Sequence, residues 1–217
     1  MWYANPVRIV VCDVGLGNLR SVERALLEVA DAGRDQIEVT PDPDRVASAD
    51  RLVMPGQGGF GDCARSLVGG LGEAVRTHLE AQRPYLGICL GLQILFGSSQ
   101  EAPGCAGLGV LEGTVGRLEG GVDDANGARL KIPHIGWNVA EPASNASAMQ
   151  LLRGSEYFYF VHSFAVSPVD TSVIAGTTEY GGRFVSAVAY GNVFACQFHP
   201  EKSQRAGLAL LRRFLAS

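Results

Sequence analysis

The sequence is short of several things, and each shortage excludes a class of protein. Charged side chains make up only 18% of its 217 residues while 47% are apolar. That balance supplies enough apolar surface to offset the entropy of ordering, which excludes an intrinsically disordered chain. Positive charge is not in surplus: 18 Lys and Arg stand against 22 Asp and Glu, a net charge of −4. A broad basic surface for nucleic acid or an anionic membrane is therefore not expected. The start lacks a basic leader followed by an apolar stretch, and no apolar run approaches the ~18 residues of a membrane span. Neither a signal peptide nor a membrane-spanning segment is expected. The five cysteines are odd in number and include no CxxC pair. This excludes a disulfide framework and fits a reducing compartment, the cytoplasm. No Cys/His ligand cluster is present, so neither a metal nor an organic cofactor is expected. Linkers, repeats and low-complexity segments are also missing, and the length suits one domain over residues 1–217.

Glycine, by contrast, is abundant, at 28 residues. The glycines fall in short groups, as tight turns and ligand-approach loops require. Between them the first half alternates strand and helix. Residues 7–12 (VRIVVC) are a continuous apolar, β-branched run, expected as a buried parallel strand. Asn18 is placed to cap a helix whose apolar positions Val22, Ala25, Leu26 and Val29 recur at helical spacing. Strands are expected over 36–40 and 51–54, the first ended by Pro41-Asp42-Pro43, the second by a loop over 55–61. A helix over 71–81 leads to a strand over 85–88 and a helix over 90–96. The second half reads as strands over 110–118, 130–132, 138–140, 157–165, 172–177, 184–190 and 193–198. Gly181-Gly182 and Gly191-Asn192 are hairpin turns, 119–128 and 141–148 polar loops, and Ser203 the cap of a final amphipathic helix. The expected architecture is three-layer α/β: a mixed, mostly parallel central sheet flanked by helices, with antiparallel hairpins added in the C-terminal half.

The strongest chemical signal is Gly87-Ile88-Cys89-Leu90-Gly91, set between an apolar strand and a helical pattern. It is a nucleophile elbow with cysteine in the serine position. The glycines let the chain reverse without a Cβ clash. The amide of Leu90 then faces the place where an oxyanion forms, and the helix N-terminus favours a thiolate. Cys12 and Cys196 lie within strands and read as structural; Cys63 and Cys105 have no catalytic context. Of the four histidines, His78 lies on a helix among charges and is expected to be solvated. His199 follows an apolar strand and is made extended by Pro200. Positions i and i+2 of an extended stretch point the same way, so Glu201 is placed to orient and charge-stabilise the His199 imidazole.

With these residues the sequence resembles the class I (triad) glutamine amidotransferases. Within that family it resembles the glutaminase subunits of imidazole glycerol phosphate synthases. The elbow GICLGLQ and the block HPE are shared widely. More specific are GLGNLRS at 15–21, PGQGGFGD at 55–62, KIPHIGWN at 131–138, YFVHS at 159–163 and QFHPEKS at 197–203. The resemblance implies that Cys89 is the nucleophile, His199 the general acid/base and Glu201 its orienter. It implies an oxyanion site at Gly56, Gln57, Gly58 and Leu90, and glutamine contacts from Gly56, Gln93, Glu101, Ser163 and Phe164. Pro133, His134, Trp137, Asn138, Tyr159 and Lys202 match positions that face a partner. Gln57 stands where valine is common in the oxyanion strand, and Phe164 and Val14 where tyrosine is usual.

The implied chemistry hydrolyses L-glutamine to glutamate and ammonia through a cysteine thioester. The implied partner is a separate cyclase subunit of the synthase, a (β/α)₈ barrel, in a 1:1 heterodimer, since nothing in 217 residues resembles a barrel. Other triad amidotransferase subunits share the triad but not KIPHIGWN and GNLRS. A Cys-His-Glu γ-glutamyl hydrolase needs no partner, and an inert interaction module needs no intact Cys89, His199 and Glu201.

Overall fold

The computed structural model describes residues 6–120, 127, 129–143, 149 and 151–217. Five parallel strands form its centre: β1 (Val7–Cys12), β2 (Asp35–Thr40), β3 (Arg51–Gly56), β4 (Tyr85–Cys89) and, from far along the chain, β11 (Val193–Cys196). Antiparallel strands follow: β10 (Arg183–Tyr190), β9 (Ile174–Glu179), β6 (His134–Pro142) and β7 (Glu156–His162). The order across the sheet is β2-β1-β3-β4-β11-β10-β9-β6-β7. A side pair, β5 (Gly113–Arg117) with β8 (Phe164–Pro168), joins through β8 and β10. The sheet is thus mixed, with a parallel core and antiparallel C-terminal strands, as the alternating-then-hairpin pattern predicts.

Alternation along the parallel strands divides the core in two. Val10, Cys12, Leu52 and Met54 pack with residues of α2 (Pro43–Ala47), α3 (Phe60–Ser66) and α4 (Leu71–Glu80). Ile9, Val11 and Val53 pack with α1 (Leu19–Val29) and α6 (Gln204–Ala216). Asn18 caps α1 as expected, its side chain accepting from the Ser21 amide at 3.2 Å. No helix among the described residues is long and apolar enough to cross a membrane.

The local differences from expectation have local causes. The loop expected over 55–61 is divided: Pro55 and Gly56 extend β3, and Phe60 opens α3, whose first amide is held by Glu101 Oε2 at 2.8 Å. Helix α2 was signalled by Asp42-Pro43, a capping side chain followed by a residue suited to the first helical turn; Asp42 Oδ1 accepts from the Asp44 amide at 2.9 Å. The helix after Cys89 is only α5 (Leu90–Gln93). The Tyr85 hydroxyl takes the Gly91 carbonyl at 2.8 Å, and the Leu95 and Phe96 amides turn back three residues, to Leu92 and Gln93, instead of four. The strand expected over 157–165 breaks at Ser163, where the chain leaves β6 and its Ser163 carbonyl accepts from the Leu118 amide near β5. Residues 130–132 form no strand of their own. Pro133 follows them and has no N–H for a ladder. The stretch 171–173 is a 3₁₀ turn capped by Asp170 before β9 begins. Ser203 does occupy the cap position of α6, but its hydroxyl is engaged elsewhere. Most of the expected polar loop at 119–128 and part of that at 141–148 lie outside the described residues; Glu141 and Pro142 belong to β6.

Candidate active site

Strands β3, β4 and β11 are parallel neighbours, so their carboxyl ends open at one edge of the sheet, the edge where parallel α/β sheets bind ligands. The register pairs Gly56 with Cys89 and Cys196 with Ile88. Residues 56, 89 and 197–199 therefore meet at that edge, although Cys89 and His199 are 110 positions apart in sequence.

At the end of β4 the chain turns sharply into α5, and Cys89 takes up the turn with φ 55° and ψ −101°. A non-glycine residue in that region is strained, and the packing around it holds it there. The elbow glycines are required by close approach. A Cβ on Gly91 would stand 1.8 Å from the Met54 carbonyl oxygen, and one on Gly87 2.4 Å from that of Gly91. Gly56 lies equally close to Leu90, 2.7 Å from its Cβ by the same measure. Gly56 and the residue after Cys89 are thus in contact.

His199 Nδ1 lies 2.8 Å from Glu201 Oε1, and both side chains are almost fully buried, at 1% and 2% exposure. Its Nε2 is buried without a hydrogen bond of ordinary geometry, beside Cys89. Burial by itself pushes the imidazole pKa down. The Cys89 sulfur and the Glu201 carboxylate outweigh it and hold the pKa up, at about 9. The backbone is fixed as well: the His199 amide donates to the Tyr159 carbonyl at 2.9 Å, and the Ser203 hydroxyl donates to the His199 carbonyl at 2.6 Å while accepting from the Tyr159 amide at 3.0 Å. That engagement is why Ser203 does not cap α6.

A cavity of about 260 Å³ opens over Cys89, lined by Gln57, Gly58, Leu90, Gln93 and Glu101, and by Pro133, Val161, His162, Ser163, Phe164 and Lys202. Its size is sufficient for a small metabolite such as an amino acid. Glu101 spends one oxygen on the Phe60 amide and presents a carboxylate to this space. A second cavity, of about 340 Å³, lies at the opposite end of β4 and β11 against Tyr190 and Asn192 and holds none of the expected site residues.

The residues expected to face a partner separate by strand parity. On β6, Ile135 and Trp137 are exposed, whereas His134 is buried at 2%, stacked on Tyr180 with ring centroids 3.9 Å apart. His134 and Asn138 are on the inward parity. Asn138 is half-buried and donates to the Glu179 carbonyl at 2.9 Å. Tyr159 packs edge-on against Trp137, and Lys202 Nζ lies 5.9 Å from the Tyr159 ring centroid. Pro133 and Lys202 line the cavity. His78, expected in solvent, is fully buried, with Nε2 donating to the Pro84 carbonyl at 3.0 Å; burial lowers its pKa. The helical periodicity that buries Leu71, Val75 and Leu79 carries position 78 inward with them.

Residues 10–217 match the family described as glutamine amidotransferase class-I. The chain belongs to the class-I glutamine amidotransferases. It is 47% identical over 207 residues to the imidazole glycerol phosphate synthase subunit HisH of Syntrophotalea carbinolica, covering 95% of this chain and 98% of that one. It is 46% identical over 210 residues to the protein of the same name from Aromatoleum aromaticum, with 96% and 97% covered. A crystal structure described as glutamine amidotransferase superposes with a TM-score of 0.70 at 21% identity, covering 96% of this chain and 97% of its own, which is a likeness of fold.

In this amidotransferase the side chain missed by sequence reasoning is Gln197. It is fully buried, and its Nε2 is 3.5 Å from Cys89 Sγ. The signal was present: Gln197 stands two residues before His199 in the extended QFHPE stretch, on the same side of the chain.

Proposed function

We infer that this amidotransferase is the glutaminase subunit of an imidazole glycerol phosphate synthase, acting in histidine biosynthesis. Cys89 is its nucleophile, His199 its acid/base and Glu201 the orienter of His199. The observation that carries this reading is the meeting of a strained Cys89 elbow with the buried His199–Glu201 pair at the mouth of one small cavity. The names borne by relatives that cover nearly the whole chain support the choice of synthase.

The thiolate of Cys89 attacks the carboxamide carbon of L-glutamine, and the carbonyl electron pair moves onto oxygen. Backbone amides at Gln57 and Leu90 stabilise that oxyanion, each donor contributing roughly 10²–10³ in rate. Glu101 holds the substrate ammonium, and Gln93, Ser163 and Phe164 border the rest of it. Collapse breaks the C–N bond as the His199 imidazolium gives its proton to the departing nitrogen, releasing ammonia. A pKa held up at about 9 keeps His199 in this acid form near neutrality. Neutral His199 then takes a proton from water. The hydroxide attacks the thioester, and collapse expels the thiolate and releases glutamate.

Ammonia lost to water becomes ammonium, which is no nucleophile, so it passes directly to a second polypeptide. That partner is the cyclase subunit, a (β/α)₈ barrel in a 1:1 complex, which makes imidazole glycerol phosphate and an aminoimidazole carboxamide ribotide. It docks on the outward face of β6 and β7. There Ile135 is 58% exposed, Trp137 47% and Tyr157 64%, an aromatic-rich patch of the kind protein interfaces use. The test is glutamine hydrolysis measured with and without the cognate cyclase and its nucleotide ligand. Turnover that rises in the liganded complex is expected. A complex that forms but hydrolyses no glutamine would sink the reading.

A further inference from the structure

Gln197 follows β11 directly, is fully buried and does not line the cavity. Its side-chain nitrogen nevertheless faces the sulfur of Cys89 at 3.5 Å. The orientation of that amide is dictated by its neighbours. Gln93 Nε2 lies 3.2 Å from the Phe164 carbonyl oxygen, which can only accept, so the nitrogen of Gln93 must be at that end. The second hydrogen on Gln93 Nε2 requires another acceptor, and Gln197 Oε1 provides it at 3.0 Å. With its oxygen committed to Gln93, Gln197 can present only its NH₂ to Cys89.

The same Phe164 carbonyl anchors a second arm. It accepts from His162 Nδ1 at 2.9 Å, which fixes the His162 tautomer and leaves Nε2 as an acceptor. His134 Nδ1 donates to that Nε2 at 3.1 Å, and His134 Nε2 in turn accepts from the Asn138 amide at 3.3 Å. Every step is satisfied with both imidazoles neutral. Burial enforces that state, pulling His134 down to about 4 and His162 to about 3. Two donor arms therefore converge on the Phe164 carbonyl, one from β6 through His134 and His162 and one from Gln93, whose other N–H reaches Gln197.

We propose that Gln197 is a further catalytic residue, whose side-chain N–H holds the Cys89 sulfur and stabilises its negative charge, with Gln93, His162 and His134 as the positioning residues behind it. The proposal rests on the glutaminase reading above. No proton is transferred by Gln197; it donates a hydrogen bond to the thiolate before attack and again when the thioester collapses. Because Gln197 is outside the cavity, its removal acts on the sulfur, while Gln93 stays anchored for glutamine by the Phe164 carbonyl.

The test is Gln197→Met in the full chain, which keeps side-chain length and removes the donor. Iodoacetamide alkylation of Cys89, followed by peptide mass mapping, reads the sulfur without requiring glutamine. Since a hydrogen bond to a charged group is worth on the order of a tenfold change in equilibrium, alkylation at neutral pH should slow about tenfold. Its pH profile should move to higher pH. In complex with the cyclase, kcat for glutamine should fall about tenfold with KM unchanged. Wild-type alkylation by a folded Gln197→Met chain, or a rise in KM alone, overturns the proposal. Should that variant not fold, Gln197→Leu removes the same donor without touching the cavity lining: slowed alkylation supports the proposal and unchanged alkylation rejects it. Alkylation decides the role of Gln197 even where the wild-type complex hydrolyses no glutamine, an outcome that would sink only the glutaminase reading.

Discussion

His199 owes its pKa to neighbours within a few ångströms, and the free-residue value is a poor guide to it. Two buried thiols show what burial does without such neighbours: it pushes Cys12 and Cys63 up to about 12, so they stay protonated and inert. For His199 the balance runs the other way, and the sign of its effect on stability follows. Its pKa is raised from 6.5 to about 9, so the bound proton stabilises the folded chain fully below about 6.5. That contribution is lost as the pH rises through about 9. Glu201→Gln removes one of the two groups that hold the proton. In that variant the His199 imidazole is expected to titrate at lower pH than in wild type, and the alkaline loss of stability should begin earlier. Imidazole NMR titration and urea midpoints between neutral and alkaline pH check both. An unchanged titration in the variant would mean that Glu201 does not hold the proton.

Among the elements, the short β7 strand joins surface and active site most directly. Its Tyr159 shows its ring to Trp137 and Lys202 on the outer face, while its backbone clasps His199 and Ser203. Movement of β7 is therefore felt at His199 without an intervening side chain. The Ser203 hydroxyl closes the clasp, and Ser203→Ala leaves the Tyr159 amide without its acceptor. The His199 carbonyl keeps only the Lys202 amide, at 3.0 Å. The expected loss is about 1–3 kcal/mol, the usual range for a buried polar group left unpaired. Urea unfolding measures it. Glutamine hydrolysis by the variant complex should fall as well, because His199 is no longer held on both sides. Full stability with full activity in the Ser203→Ala complex would reject the clasp.

The sheet as assembled places β11 beside β4, and that insertion brings His199, 110 residues downstream, to Cys89. The outward β6–β7 face, the proposed docking surface, is built from different strands than Cys89 and does not depend on its thiol. Cys89→Ala is therefore expected to keep the complex intact, to abolish glutamine-dependent synthesis and to leave synthesis from added ammonium at alkaline pH near the wild-type level. Product assays with each nitrogen source measure this. Loss of both activities in an intact complex would mean that the chain does more than supply ammonia.

Several features could be read from the linear order because their causes are local. Strand β1 follows from a β-branched apolar run and the α1 cap from Asn18. The elbow follows from two glycines around Cys89, and the side-by-side placement of His199 and Glu201 from extended i, i+2 geometry. The family was legible too, since its motifs are contiguous blocks. Other features depend on groups that only folding brings together. Helix α5 stops at Gln93 because the Tyr85 hydroxyl takes the Gly91 carbonyl and the next amides turn back three residues instead of four. His134 turns inward because β6 presents that face to Tyr180 and Phe160, neighbours that strand alternation does not name. Gln197 reaches Cys89 only because two strands pair in parallel at one register. A hydrogen bond has a range of a few ångströms, whereas these partners are up to 108 residues apart, and folding is what converts one separation into the other.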